Sequence, residues 1–129
     1  MKRRIMMLAA ALSGCATAPA DPIGEWGGDH ISMIIGESGA EIESDCAHGR
    51  IDGAFTVGAD GVFDLAGVWS PEHGGPVRQD EAERNFAARY SGKISGAAMA
   101  LSIAALSPPA EPGSFALQKN RAPNLLKCL

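Results

Sequence analysis

The sequence predicts an all-β domain, most simply a small antiparallel up-and-down barrel of about eight strands, with a β-sandwich as the alternative. From residue 24 onward, apolar and polar residues alternate with a period of two, which is the pattern of strands that bury one face. Turn residues recur between these short runs, and no long stretch has helical periodicity. Short strands with closely spaced turns are typical of barrels and sandwiches.

The first strands are predicted between residues 24 and 52. The fold begins near Gly24-Glu25-Trp26 at the start of the first strand, whose residues Ile31, Met33 and Ile35 face one way and which ends at a hairpin turn, Ser38-Gly39. Residues 41–50 are predicted as a single strand. Alternate residues of that strand would face the core, namely Ile42, Ser44, Cys46 and His48. Ile51 is out of phase with this face, so a bulge is expected at Gly49 or Gly53.

The later strands are predicted at 55–57, 62–69, 88–94, 99–105, 115–117 and 126–128. Asp60-Gly61 and Ser95-Gly96 supply turns between neighbouring strands. The proline-rich segment 107–113 is predicted as a loop, because proline cannot donate to a strand ladder. Strands this short, with many alanines and glycines, imply a narrow barrel that is filled by its own side chains or admits one small ligand at most.

The N-terminus has the plan of an export signal. Three basic residues, 2–4, precede an apolar run, 5–12, and small residues follow. This run is far shorter than the roughly 18 apolar residues that a membrane-spanning helix needs. The segment that follows, Leu12-Ser13-Gly14-Cys15, resembles the lipobox of bacterial lipoproteins.

The lipobox resemblance implies where the protein resides and how it is held. Residues 1–14 would be removed as a signal peptide, and Cys15 would be lipidated on its thiol and acylated on its new amino end. Residues 15–22 would then form a flexible tether, and residues 23–129 a single domain. Ala16 follows the cysteine, which by the same resemblance implies sorting to the outer membrane, with the domain facing the periplasm.

The charge of the chain excludes one class of partner. Without the signal it carries 8 basic and 15 acidic residues, a net charge of −7. Nucleic-acid binding would need the opposite sign. The expected partners are the membrane, through the lipid, and an envelope or secreted protein.

With Cys15 assigned to lipid, Cys46 and Cys128 remain as a pair in a compartment where disulfides persist. We predict that they are bonded, which closes a loop of about 80 residues and stabilises the fold by about 4 kcal/mol on the chain-entropy model. The alternative is two buried free thiols. A bonded Cys46 cannot join His48 as a metal ligand, so no metal and no cofactor is predicted.

Candidate binding residues lie mainly in the longest irregular connection, 70–85, since loops on a rigid β scaffold often carry binding residues. Its tip supplies Glu72, His73, Gly74 and Gly75, and His48 is a further candidate. No catalytic residue is predicted. Serines lack a nucleophile-elbow context, and no long helix is available to supply an oxyanion hole.

Two further resemblances bear on function. Gly24-x-Trp26 resembles the opening of calycin-type barrels, the lipocalins and avidins, which implies that Trp26 packs near a basic residue of a late strand, here Arg121. The strand count, export and single disulfide resemble those of small secreted inhibitors of bacterial metalloproteases. In those inhibitors a free N-terminal segment enters the protease cleft, whereas Cys15 would be held at the membrane. The overall spacing is also similar to that of uncharacterised proteobacterial lipoproteins, which supplies no function.

These observations lead to two hypotheses about function. The first is a lipid-anchored binding or structural module that binds a protein, with inhibition of an envelope or secreted protease as its specific form. The alternative is a barrel that binds a small ligand or a metal at a mouth around His48. A dry, filled interior would favour the first, and an open polar mouth converging on His48 would favour the second.

Overall fold

The computed structural model describes residues 21–72, 82, 84–106 and 109–128. Its strands are Gly24–Gly28 (β1), Ile31–Ile35 (β2), Gly39–Ser44 (β3), Ala47–Asp52 (β4), Val62–Pro71 (β5), Phe86–Ser95 (β6), Ala98–Leu106 (β7) and Pro109–Lys119 (β8). Each strand pairs antiparallel with the next, and β8 pairs with β1, so the sheet closes on itself. The predicted eight-stranded up-and-down barrel is therefore confirmed, and the sandwich is not observed.

The two ends of the barrel differ in what they carry. At the proximal end, where β1 begins, lie the turns 36–38 and 96–97 and the connection 53–61. At the distal end, where β1 finishes, lie the turns 29–30 and 45–46 and the ends of β5 and β7. The chain enters at the proximal end, where Trp26 Nε1 donates to Pro22 O at 2.9 Å and Lys119 Nζ donates to Asp21 O at 3.0 Å.

The interior is filled by apolar side chains from all eight strands. The largest fully buried apolar ones are Trp26, Tyr90, Ile31, Met33, Ile35, Ile42, Met99, Leu101, Ile103 and Leu117. Tyr90 crosses the interior, and its hydroxyl donates to Val68 O at 2.6 Å. Among the described residues, every buried side-chain polar atom has a hydrogen-bond partner. The middle of the barrel is therefore an apolar core formed by its own side chains, which is one of the two arrangements that a narrow barrel allows.

Trp26 packs near a basic residue, but not near the predicted one. Lys119 Nζ lies 5.7 Å from the centroid of the Trp26 ring, within the range of a cation–π contact. Arg121 instead pairs with Asp29, with Arg121 Nη2 3.5 Å from Asp29 Oδ1. Lys119 is the last residue of β8 and is paired with Trp26, whereas Arg121 lies beyond the end of that strand.

The single strand predicted at 41–50 is wrong, because a two-residue turn at Asp45 and Cys46 divides it into β3 and β4. The turn resets the alternation, so Cys46 is exposed and His48 lies on the outer face. The inward residues of β4 are Ala47, Gly49 and Ile51. This turn accounts for the phase of Ile51 without the predicted bulge.

Two other predicted elements differ from the structure. Residues 55–57 form no strand, although the turn that follows them is present, with Gly61 N donating to Gly58 O at 2.9 Å. β8 begins at Pro109, inside the segment predicted as a loop. Glu111 and Pro112 lie between the Ile103–Gly113 and Ala105–Ala110 pairs, at a register shift. Pro112 is tolerated there because a bulge does not need its missing N–H.

The C-terminal segment 126–128, predicted as the last strand, is irregular. Residues 120–128, here called the C-terminal strap, run from the proximal to the distal end along the outside of β1. Asn124 N donates to Gly28 O at 3.0 Å, and Cys128 N donates to Asp45 O at 3.0 Å. The predicted disulfide between Cys46 and Cys128 is confirmed, with Cα atoms 5.2 Å apart. It fastens the strap at the distal end.

Candidate binding site at the distal end of the barrel

Two of the predicted binding residues lie together on the outer surface near the distal end. His48 Nδ1 is 3.7 Å from Glu72 Oε2, and both side chains are about one-third exposed. His48 does not face a barrel mouth, as the alternation had predicted, because the turn before β4 reverses its orientation. His73, Gly74 and Gly75 lie outside the described residues, as does Cys15, so their roles stay predictions.

Lys127 of the strap holds Glu72 by a direct ion pair. Its Nζ lies 2.8 Å from Glu72 Oε2, 3.0 Å from Glu43 Oε2 and 2.9 Å from Ser44 O. Partial burial acts to lower the pKa of Lys127, but the hydrogen bonds to the two carboxylates outweigh it and raise that pKa. Burial likewise acts to raise the pKa of Glu72, yet Lys127 and His48 lower it overall. Glu72 is therefore engaged in holding the strap.

Asp45 is the second polar attachment of the strap. Leu126 N donates to Asp45 Oδ1 at 2.7 Å, and His30 Nδ1 lies 2.6 Å from Asp45 Oδ2. The hydrogen bond from the Leu126 amide, and then the contact with His30, lower the pKa of Asp45. Both the side chain and the backbone of this turn residue thus hold the strap.

The strap is expected to loosen at low pH through Asp45. Because the folded-state pKa is lowered, the stabilisation is present above the unfolded value of about 4 and is lost as the pH falls through the folded value. Amide hydrogen exchange at Leu126, corrected for the intrinsic rate, should accelerate in that window. Asp45→Asn, which keeps an acceptor oxygen but cannot titrate, should reduce the pH dependence to the part that Glu72 contributes through Lys127. An unchanged pH profile in Asp45→Asn would assign the effect to another group.

A cavity of about 330 Å³ opens at the distal end, above the packed core. Its walls are mostly apolar and include Ala47, Trp69, Phe86, Ala105 and Pro112, and its polar side chains are Ser44 and Glu111. Trp69 belongs to the buried core and also lines this cavity, which the alternation of apolar and polar residues does not indicate. The feature of the sequence that could have indicated the cavity is the small size of Ala47 and Ala105. These two residues face inward and leave the last layer of the barrel unfilled.

In the described part of the chain, no group of three or more His, Cys, Asp or Glu side chains is placed to hold a metal ion. No helix among those residues has the length and apolar character to cross a membrane. Compared with known proteins, the chain matches no family model, no curated protein and no solved structure. The function of the distal surface is therefore inferred from the residues of the cavity, the strap and the ion pairs described above.

Proposed function

We propose that this protein is a lipid-anchored module of the cell envelope that binds another protein through its outer surface. The filled interior carries the proposal, because buried apolar side chains of the barrel's own strands occupy its middle. Binding then belongs to the outer surface, where large apolar side chains are exposed at both ends of the barrel, and the distal end is favoured because it also carries the cavity. Leu106 is 50% exposed and Leu126 is 77% exposed. An envelope or secreted protease is the partner class that the inhibitor resemblance suggests.

The geometry of the N-terminal side agrees with presentation of the distal end to a partner. Asp21 and Pro22 contact the proximal end through Lys119 and Trp26. Six residues lie between Cys15 and Pro22, so these two residues can be at most about 25 Å apart. An anchor at Cys15 would therefore leave the domain close to the membrane, attached by its proximal end, with the distal end on the opposite side.

Cys15→Ser is expected to move the protein from the membrane fraction to the soluble fraction of the envelope, because the thiol that accepts lipid is gone. Fractionation without detergent measures this, and a thermal melt of the released protein should match that of the 23–129 domain. Thr17→Ser is the matched control and should remain with the membranes. Retention of Cys15→Ser in the membrane fraction after removal of residues 1–14 would contradict the anchor.

Protein binding is tested by a photoreactive residue in place of Leu106, in full-length protein crosslinked in intact envelopes. We expect a discrete protein adduct from this distal position. The same residue in place of Glu37, exposed in the proximal turn, is the control and should give none. Equal adducts from both positions, or none from either, would contradict a specific partner at the distal end.

A further inference from the structure

The distal cavity exists because the inward positions of the last barrel layer are small. Ala47 on β4 and Ala105 on β7 face inward there, whereas the layers below hold residues such as Met33, Leu101 and Tyr90. The resulting space, about 330 Å³, is at the low end of the range for ligand pockets. It is large enough for one bulky side chain and too small to enclose a large ligand.

The cavity has rigid apolar walls. Trp69 and Phe86 are cross-strand partners on β5 and β6, and Trp69 is only 7% exposed. Pro112 lies at the β8 bulge on another wall. Rigid aromatic and proline walls keep such a cavity open at little entropic cost, as in pockets that accept an anchor residue at protein interfaces.

Glu111 gives the cavity a negative charge that is not neutralised within the described residues. It is exposed at the β8 bulge next to Pro112, and within that part of the chain it forms no hydrogen bond or ion pair. The nearby carboxylates differ from it, because Glu43 and Glu72 are paired with Lys127. An occupant that carries a positive charge beside its apolar group would therefore be favoured over a neutral or acidic one.

We propose that the distal cavity binds one large apolar side chain of a partner protein, flanked by a lysine or arginine that pairs with Glu111. This rests on the proposed protein-binding function and names the chemistry of the partner. A protein anchor is favoured over a small molecule because, among the described residues that line the cavity, Ser44 and Glu111 alone offer polar side chains, whereas small-molecule sites usually bring several together. Leu106 and Leu126, exposed at the same end of the barrel, would extend the contact around the anchor.

Blocked tetrapeptides test the proposal by NMR titration of residues 15–129 with Cys15→Ser, which keep the contacts of Asp21 and Pro22 with the barrel. The first peptide is Gly-Phe-Lys-Gly. The second is Gly-Phe-Glu-Gly, with glutamate in place of lysine, and the third is Gly-Gly-Lys-Gly, with glycine in place of phenylalanine. We expect the first to bind with a dissociation constant of about 1 mM, shifting the amides of Trp69, Phe86 and Glu111, and to bind at least fivefold more tightly than either of the others. Equal binding of the three, or shifts elsewhere, would overturn the proposal.

Two variants locate the interaction. Glu111→Lys, at an exposed position, should abolish the preference for lysine over glutamate, while Glu37→Lys, the same charge change at the proximal end, should leave it intact. Ala105→Phe should fill the cavity and remove binding of all three peptides, with the melt confirming its fold. If 2-phenylethylamine binds tenfold more tightly than the best peptide, the occupant is a small molecule and the proposal is wrong.

The crosslinking experiment separates this inference from the proposed function. A distal adduct that survives Glu111→Lys and Ala105→Phe unchanged would leave protein binding in place and overturn the cavity as its anchor. Loss of the adduct in both variants, but not in Glu37→Lys, is the expected result.

Discussion

Gly49→Ala is expected to lower the free energy of unfolding by about 3 kcal/mol, combining overpacking with the disturbance of a buried hydrogen bond. A Cβ at Gly49 would clash with Tyr90 Oη and would lie 2.7 Å from Val68 O. Tyr90 is fully buried and cannot swing into solvent, so either the ring or strand β5 must move. Urea denaturation followed by circular dichroism measures the loss.

A glycine in open surroundings and a double-mutant cycle serve as controls for this prediction. Gly36→Ala introduces the same methyl group where the nearest atom is Gly39 O at 3.8 Å, and it should change stability by less than about 0.5 kcal/mol. Tyr90→Phe removes the hydroxyl that the new Cβ would meet, so Gly49→Ala should cost less in that background. Strict additivity of the two substitutions would mean that the clash lies elsewhere.

The fold class could be predicted from the sequence because alternation is a local signal. Along β2 and β7 every second residue is buried, as the pattern at 31–35 and 99–105 predicted. The turn at Asp45 and Cys46 escaped prediction, since it contains no glycine, proline or asparagine to mark a hairpin. Ser44 and Ala47 pair across this two-residue turn and face the same side, so the turn shifts the phase of the alternation by one residue, which is why His48 was assigned to the wrong face.

The candidate site was less predictable because its contacts depend on the path of the chain in three dimensions. Lys127 meets Glu43 and Glu72, which lie 84 and 55 residues earlier. No local pattern predicts that the strap returns along β1 instead of joining the sheet. Glu111 lines the cavity from the bulge in β8, and the proline-rich segment that contains it was predicted to be a loop. Only the disulfide was foreseeable, because it followed from counting cysteines.

Replacing both Cys46 and Cys128 with serine is expected to lower the free energy of unfolding by about 4 kcal/mol, and the melting temperature by about 15 °C. The bond joins residues 82 positions apart, so its removal frees a long loop in the unfolded chain. Differential scanning calorimetry at pH 7 measures the shift. Amide exchange at His30, whose N–H donates to Asn124 O, should accelerate because the strap loses its covalent attachment.

Lys127→Ala in the oxidised protein distinguishes the disulfide from the ion pairs that accompany it. The pairs of Lys127 are partly exposed, and such pairs contribute under about 1 kcal/mol, so this variant should melt close to the unmodified protein. A loss as large as that of the double cysteine variant would mean that the strap is held by charge, with the disulfide adding little. A small loss of melting temperature, together with slow amide exchange at His30, would mean that the covalent bond keeps the strap on the barrel. The shape of the distal surface would then depend on an oxidising environment.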